Sequence, residues 1–168
     1  MADKRQPALN NLLSYQVTST ADALRRSAAR HMRREHDVSL AQVRTLALIQ
    51  HLQPVRLRDV AADAGADKAQ ISRVVTSLVG RGYVARRALA GDARSAHLEL
   101  TEPGRAKMAS IEHSMNERDR VLRSTLQPGE VEQLTALLAC VRKGADRLTL
   151  DEERFEKAAA QPAVHHAA

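Results

Sequence analysis

The sequence predicts a mainly α-helical fold with one small β-hairpin, and three observations support this. Apolar residues recur at spacings of three and four along most of the chain, as they do on one face of an amphipathic helix. Residues 83–87 and 96–101 instead alternate with period two, as the inward and outward side chains of a strand do. The length of 168 residues suits a single compact unit. The predicted order is four helices, a hairpin and two further helices.

The first helix begins near Pro7, a residue that a first helical turn tolerates, and runs to about Glu35. Its narrow apolar stripe requires a partner helix and consists of Leu13, Val17, Thr20, Leu24, Ala28 and His31. The second helix starts at a capping box formed by Ser39 and Gln42 and continues to Pro54. Its apolar residues are Val43, Leu46, Ala47, Ile49 and Leu52.

A short third helix follows, with Leu57, Val60, Ala61 and Ala64 facing inward. Gly65 ends it, because a left-handed residue is favoured just after a helix. Asp67 and Gln70 repeat the capping pattern at the start of a fourth helix that extends to about Arg81. The core face of this fourth helix consists of Ile71, Val74, Val75, Leu78 and Val79.

The hairpin joins two alternating strands through residues 88–95, where Gly91 and Asp92 are turn formers. Thr101 caps a fifth helix, whose stripe consists of Met108, Ile111, Met115, Arg118 and Leu122. A sixth helix begins after Pro128, with Val131, Leu134, Leu138, Val141, Ala145 and Leu148 on one side.

This element order is that of a winged helix-turn-helix flanked by N-terminal and C-terminal helices. The fourth helix turns one polar face away from the core, formed by Lys68, Gln70, Ser72, Arg73 and Thr76. Such side chains suit the major groove of DNA, because Arg pairs with guanine and Gln with adenine. Arg94 at the hairpin tip, with Arg86 and Arg87 on the first strand, could reach a minor groove or phosphates.

Charge favours the same interpretation. Residues 38–101 hold nine Lys and Arg against five Asp and Glu, within a net charge of +6 for the chain. A solvated helix face is the simpler explanation for a single polar helix, but here a helix-turn-helix precedes it and a basic wing follows it. A winged helix that docks another protein instead of DNA stays open as an alternative.

Four sequence motifs are specific enough to compare with known families: Asp67-Lys-Ala-Gln-Ile-Ser-Arg73, Val74-Val-Thr-Ser-Leu-Val-Gly-Arg-Gly-Tyr-Val84, Gly91-Asp-Ala-Arg-Ser95 and Leu98-Glu-Leu-Thr-Glu-Pro-Gly104. They resemble the multiple-antibiotic-resistance regulator (MarR) family, and the resemblance covers roughly residues 9–148. The wing pattern, Asp-x-Arg-Ser followed by a strand that ends in Leu-Thr-x-x-Gly, is the most specific of these. Arg56 departs from the family pattern, which often has Ser or Thr there to cap the third helix; Arg56 reaches phosphate or the cap is weaker.

The resemblance implies a homodimer on a pseudo-palindromic, double-stranded DNA operator, with Arg94 as the wing arginine and Asp92 holding the wing. Residues 7–37 and 102–148 would form the dimerisation region, residues 38–101 the DNA-binding region, and residues 1–6 and 156–168 flexible tails. It also implies a repressor released by a small aromatic or phenolic acid, although an activator of the same fold stays open. Neither a cofactor nor a metal is expected, and no catalytic motif indicates an enzyme.

Candidate effector contacts are polar residues on or near apolar stripes. His31 and Arg118 interrupt such stripes, and a carboxylate could partner either side chain. His51 and Tyr15 are weaker candidates for the same anion-accepting pocket. A satisfied core histidine or an interface ion pair is the simpler explanation of His31 and Arg118.

The rest of the composition restricts function further. The aromatic residues are Tyr15, Tyr83 and Phe155, too few for stacking-based recognition of single strands. Cys140 is the only cysteine and is expected to be buried and inert, with thiol-based redox sensing as the alternative. Without an apolar run of about 18 residues or a signal-type N-terminus, the sequence predicts a soluble, cytoplasmic protein that does not contact membranes.

Overall fold

A computed structural model describes residues 9–89 and 92–159 of the chain. Its elements in chain order are α1 (Leu13–His36), α2 (Leu40–Leu52), β1 (Val55–Arg56), α3 (Leu57–Ala64), α4 (Lys68–Gly80), β2 (Val84–Leu89), β3 (Asp92–Leu100), α5 (Glu102–Arg123) and α6 (Glu130–Ala159). The chain divides within α5 into two units, one ending at Asn116 and one beginning at Glu117. The predicted order of six helices with a hairpin between the fourth and the fifth is confirmed.

Local signals in the sequence set the helix ends. The Ser39 hydroxyl accepts from the Gln42 N–H at 3.2 Å, and the Gln42 side chain accepts from the Ser39 N–H at 2.8 Å, so the capping box is complete. Gly65 ends α3 in the left-handed conformation with φ 57°. The Thr101 hydroxyl accepts from the Gly104 N–H at 3.1 Å at the start of α5.

The sheet has three strands rather than the two of the predicted hairpin. Its order is β1-β3-β2, and both pairings are antiparallel. Val55 lies opposite Leu98, and Arg56 lies opposite His97. The prediction missed β1 because two residues are too few to display an alternating pattern. The strand forms by pairing with a segment more than forty positions away in the sequence.

The core of the first unit lies between α2, α3, α4, α5 and the sheet. Its fully buried side chains include Leu46, Ile49, Val60, Val75, Leu78 and Ile111. Each such side chain contributes about 1.5–3 kcal/mol through removal from water. Ala47, predicted as part of the α2 stripe, is exposed, and Thr45 is buried instead.

Two predicted helix boundaries differ from the structure. Helix α1 begins at Leu13, while Pro7, the predicted start, lies outside the described residues. Helix α6 continues to Ala159, although a tail was expected from residue 156. The ion pairs Asp151–Arg154 and Glu153–Lys157, at spacings of three and four, favour this extra helical turn.

The second unit contains the end of α5 and all of α6. The apolar residues of the predicted α6 stripe are half-buried or exposed along the whole helix, and Leu148 is 69% exposed. Among the described helices, none combines the length and the apolar content that crossing a membrane requires.

Candidate nucleic-acid interface

Two glycine turns fix both ends of α4. At the end of α3, the Gly65 N–H donates to the Ala62 carbonyl and the Ala66 N–H donates to the Ala61 carbonyl, which is a Schellman motif. Asp67 then caps α4, with its carboxylate accepting from the Gln70 N–H at 3.2 Å. A second Schellman turn at Gly82, with φ 73°, ends α4 and begins the strand β2.

Helix α4 has one buried face and one exposed face. Ile71, Val75 and Leu78 are buried in the core. The predicted DNA-contacting residues lie away from them: Lys68, Gln70, Arg73 and Thr76 are exposed and Ser72 is half-buried. The helix itself contains no Asp or Glu, and the carboxylate of Asp67 at its N-cap accepts from the Gln70 N–H.

The first strand of the wing lies beside the exposed face of α4. The Arg86 guanidinium donates to the Thr76 hydroxyl across 3.4 Å, which brings two predicted contact residues together. Arg87, also exposed, forms an ion pair with Glu99 of β3, with Nε and Oε2 3.2 Å apart. For Asp92 and Arg94, only the backbone, in β3, belongs to the described part of the structure.

Arg56 binds the sheet instead of capping α3. It occupies the N-cap position without a side-chain capping bond, which is the weaker cap that the sequence left open. Its Nε donates to His97 Nε2 at 3.4 Å. His97 is buried, and its Nδ1 has no hydrogen-bond partner among the residues that the structure describes.

The structure does not gather the four candidate effector residues. Tyr15 and His31 are both on α1, about 24 Å apart along a helix that rises 1.5 Å per residue. A single protomer therefore cannot place both around one small molecule. His51 is exposed in the last turn of α2, and Arg118 is half-buried in the second unit.

A histidine that the sequence analysis missed is buried near His31. His36 Nε2 lies 2.8 Å from the Ser114 hydroxyl of α5, and the His31 and His36 rings meet edge to face at 6.1 Å. Burial lowers the pKa of His36, and the nearby positive charge of Lys107 lowers it further. His31 Nε2 is buried and has no hydrogen-bond partner within the described residues. The spacing of four between the buried Met32 and His36 was the available signal.

The first unit contains a cavity of about 450 Å³ that the sequence did not predict. Residues of the first four helices line it, among them the apolar Leu40, Ile71 and Val74 and the polar Arg25, Arg44 and Gln70. None of the predicted effector residues lines it.

Cys140 is exposed, so the prediction of a buried thiol is wrong for the described chain. The reason is that the side chains around it on α6 are exposed too. No cluster of three His, Cys, Asp or Glu side chains suited to a metal occurs in the described ranges.

Comparison with known proteins finds a family that part of the chain resembles. The sequence model of the MarR family matches residues 38–96, which span α2 to the wing. Over these residues the chain is similar to that family. The resemblance inferred from the motifs is thereby confirmed for this segment, and the family is one of transcriptional regulators rather than enzymes. No curated protein sequence matches the chain.

The similarity to solved structures extends beyond residues 38–96. FabT of Streptococcus pneumoniae in complex with DNA has a TM-score of 0.70 at 18% identity, covering 81% of this chain and 96% of its own. MepR of S. aureus in its DNA complex has a TM-score of 0.68 at 20% identity, with 79% and 98% covered. A MarR/EmrR family transcriptional regulator from Acinetobacter sp. ADP1 has a TM-score of 0.66 at 22% identity, with 80% and 94% covered. The predicted winged-helix fold is confirmed.

Proposed function

We propose that this chain is a homodimeric transcriptional regulator that reads a pseudo-palindromic operator, most simply as a repressor. The observation that carries the proposal is the acid-free, exposed face of α4, which bears Lys68, Gln70, Arg73 and Thr76 in the segment that is similar to the MarR family. A face of this kind fits the major groove, where a recognition helix contacts base edges. Relatives of the same fold, FabT and MepR, have been solved in complexes with DNA.

The side chains divide into base readers and phosphate contacts. Arg73 has the planar fork that pairs with guanine, and Gln70 has the amide that pairs with adenine. Lys68 in the first turn and Arg86 on the wing suit phosphates, which position the domain without reading sequence. Ser72, Arg87, Asp92 and Arg94 complete the proposed contact set, with Asp92 supporting the wing and Arg94 at its tip.

Dimerisation is supported by apolar surface that one chain leaves in water. Leu13 on α1 is 61% exposed, and Leu24 on α1 and Leu134 and Leu138 on α6 are exposed as well. Monomeric proteins rarely leave so many large apolar side chains along two helices unpaired. Twofold pairing through residues 7–37 and 102–148 would cover them and present two α4 helices about 34 Å apart, at successive major grooves.

Release by a small aromatic or phenolic acid is the proposed control. The cavity beside Gln70 supports an anionic effector, because the basic side chains of Arg44 and Arg25 lie at its wall, Arg25 being paired with Asp22 in the free protein. A carboxylate would bind these cations while the apolar side chains accept a ring. Tyr15, His31, His51 and Arg118 do not line this cavity and stay as the alternative effector contacts that the sequence suggested. An effector that binds best when the two α4 helices have a spacing unfit for DNA would favour the dimer that cannot bind DNA. This would shift the equilibrium between the two forms of the dimer by about 1–3 kcal/mol.

Selection of bound duplexes from random DNA, with and without a panel of aromatic acids, tests the proposal. We expect a twofold-symmetric consensus and a steep fall of affinity with salt. Arg73→Ala should abolish the preference for that consensus, whereas Lys68→Ala should weaken binding to all duplexes alike. A stable monomer, or a dimer without sequence preference at moderate salt, would overturn the proposal.

A further inference from the structure

We infer that Arg81 is a positioning residue that sets the operator spacing which the dimer accepts, through its bonds to Asp37 at the end of α1. This inference rests on the proposed DNA-binding dimer and adds a determinant of its specificity. Arg81 directly follows the recognition helix α4, and Asp37 directly follows α1, which belongs to the proposed dimerisation region.

The contact between the two residues is two-pronged. Arg81 Nη1 donates to the Asp37 backbone carbonyl at 2.5 Å, and Nη2 donates to the Asp37 carboxylate at 2.8 Å. Two bonds from one planar guanidinium to two groups of the same residue restrict direction as well as distance. A lysine at position 81 would keep the charge and lose this fixed geometry.

Both partners are themselves held in place. Asp37 has the left-handed conformation with φ 53°, and its N–H donates to the Arg33 carbonyl, so it is part of the end of α1. The Arg81 guanidinium carbon lies 5.2 Å from the centre of the Tyr83 ring, on which the cation rests. The backbone of Tyr83 is in turn held to the start of α5, since its carbonyl accepts from the Thr101 N–H at 3.1 Å.

This arrangement joins α1 to the junction between α4 and the wing. A dimer measures its operator by the distance and rotation between its two recognition helices. Each recognition helix is connected to the dimer helices on its own side, and the Arg81–Asp37 contact is a direct polar connection of this type. Loosening it would let α4 tilt against α1, so that duplexes with other half-site spacings could be accepted.

The contact can be removed without unfolding the protein. The Asp37 side chain is 89% exposed and that of Arg81 is 28% exposed, and exposed ion pairs contribute little to stability. Asp37→Asn keeps a residue that tolerates the left-handed conformation while it removes the carboxylate charge. Arg81→Lys removes the planar guanidinium but keeps the positive charge. Arg81→Gln removes both. Arg34→Gln is the matched control, because Arg34 forms an exposed ion pair with its neighbour Glu35 in the last turn of α1.

The test uses the full chain and the symmetric duplex that selection identifies, together with versions carrying one base pair more or fewer at the centre, and a single half-site. For the wild type and Arg34→Gln, we expect a one-base-pair change to weaken binding by roughly tenfold or more, because it moves one half-site by a tenth of a turn. In Arg81→Gln and Arg81→Lys, this penalty should shrink to about threefold or less, with half-site affinity unchanged. In Asp37→Asn, which keeps the backbone carbonyl and an amide oxygen as acceptors, the penalty should shrink by less.

The outcomes separate the two proposals. If the wild type discriminates between spacings and all three variants do so equally, the positioning role is wrong while the proposed function stands. If the variants lose affinity for every duplex by the same factor, including the half-site, Arg81 is an ordinary DNA contact or a stability residue, and the inference also fails. If the wild type prefers no duplex, the proposed function itself fails.

Discussion

Glu99 on β3 holds the guanidinium of Arg87 on β2, with Oε2 and Nε 3.2 Å apart on the exposed root of the wing. Arg87 is one of the residues that the sequence nominates for DNA contact, yet in the free protein its charge is already partly balanced. The wing therefore presents less positive charge to DNA than its sequence indicates.

Glu99→Gln is expected to strengthen DNA binding. The amide releases Arg87 for a phosphate and removes one negative charge from the wing. The magnitude of the log–log slope of affinity against salt should then increase by up to about 0.9, the value for one additional phosphate contact. Glu102→Gln is the control, because it makes the same charge change in an exposed pair with Arg105 on α5. Equal effects of both variants would mean that only net charge matters.

Gly104→Ala is expected to destabilise the fold. A Cβ at this position would lie 2.0 Å from the Tyr83 carbonyl oxygen, so the backbone of the first turn of α5 or of the wing must shift. Overpacking of this kind costs about 1–3 kcal/mol. In contrast, Gly144→Ala adds a Cβ with no atom within 4 Å in the middle of α6, and should raise the free energy of unfolding by about 0.5–1 kcal/mol. Urea unfolding measures both changes in the free energy of unfolding. If Gly104→Ala stabilised the protein as Gly144→Ala is expected to do, the close approach would be contradicted.

Ser39→Ala is expected to cost about 1 kcal/mol of stability, because it removes one half of the capping box of α2. Ser19→Ala is a suitable comparison, since the Ser19 hydroxyl only donates back to the Gln16 carbonyl inside α1. Alanine favours a helix interior more than serine does, so that variant should be neutral or slightly stabilised. Urea unfolding measures both variants. If Ser39→Ala unfolded at the same urea concentration as the wild type, the cap would contribute nothing to stability.

Stability should decrease as the pH falls below about 6.5, the ordinary pKa of histidine. Burial holds the pKa of His36 below that value in the folded chain, so the unfolded chain binds the proton first. The free energy of unfolding therefore falls from pH 6.5 downwards until the pH passes the pKa of the folded state. His36→Gln should flatten this part of the profile, whereas His113→Gln, at an exposed position on α5, should not. An unchanged slope in His36→Gln would assign the pH dependence to other groups.

The sequence by itself determined the local parts of this protein. The capping box at Ser39, the left-handed turn at Gly65 and the N-cap at Thr101 each depend on residues within a few positions of one another. A pattern that spans only a few sequence positions can be recognised without a structure. The exposed face of α4 was predictable for the same reason, since the 3.6-residue period separates Lys68 and Arg73 from Ile71 and Val75.

Only the tertiary structure decided the contacts between distant segments. The strand β1 exists because Val55 and Arg56 find β3 more than forty positions away. Three other features arise in the same way. They are the contact of His36 with Ser114, the hydrogen bonds from Arg81 to Asp37, and the cavity that Arg25 and Arg44 help to line. Such contacts depend on how helices pack against one another, and no spacing along the chain encodes that distance or direction.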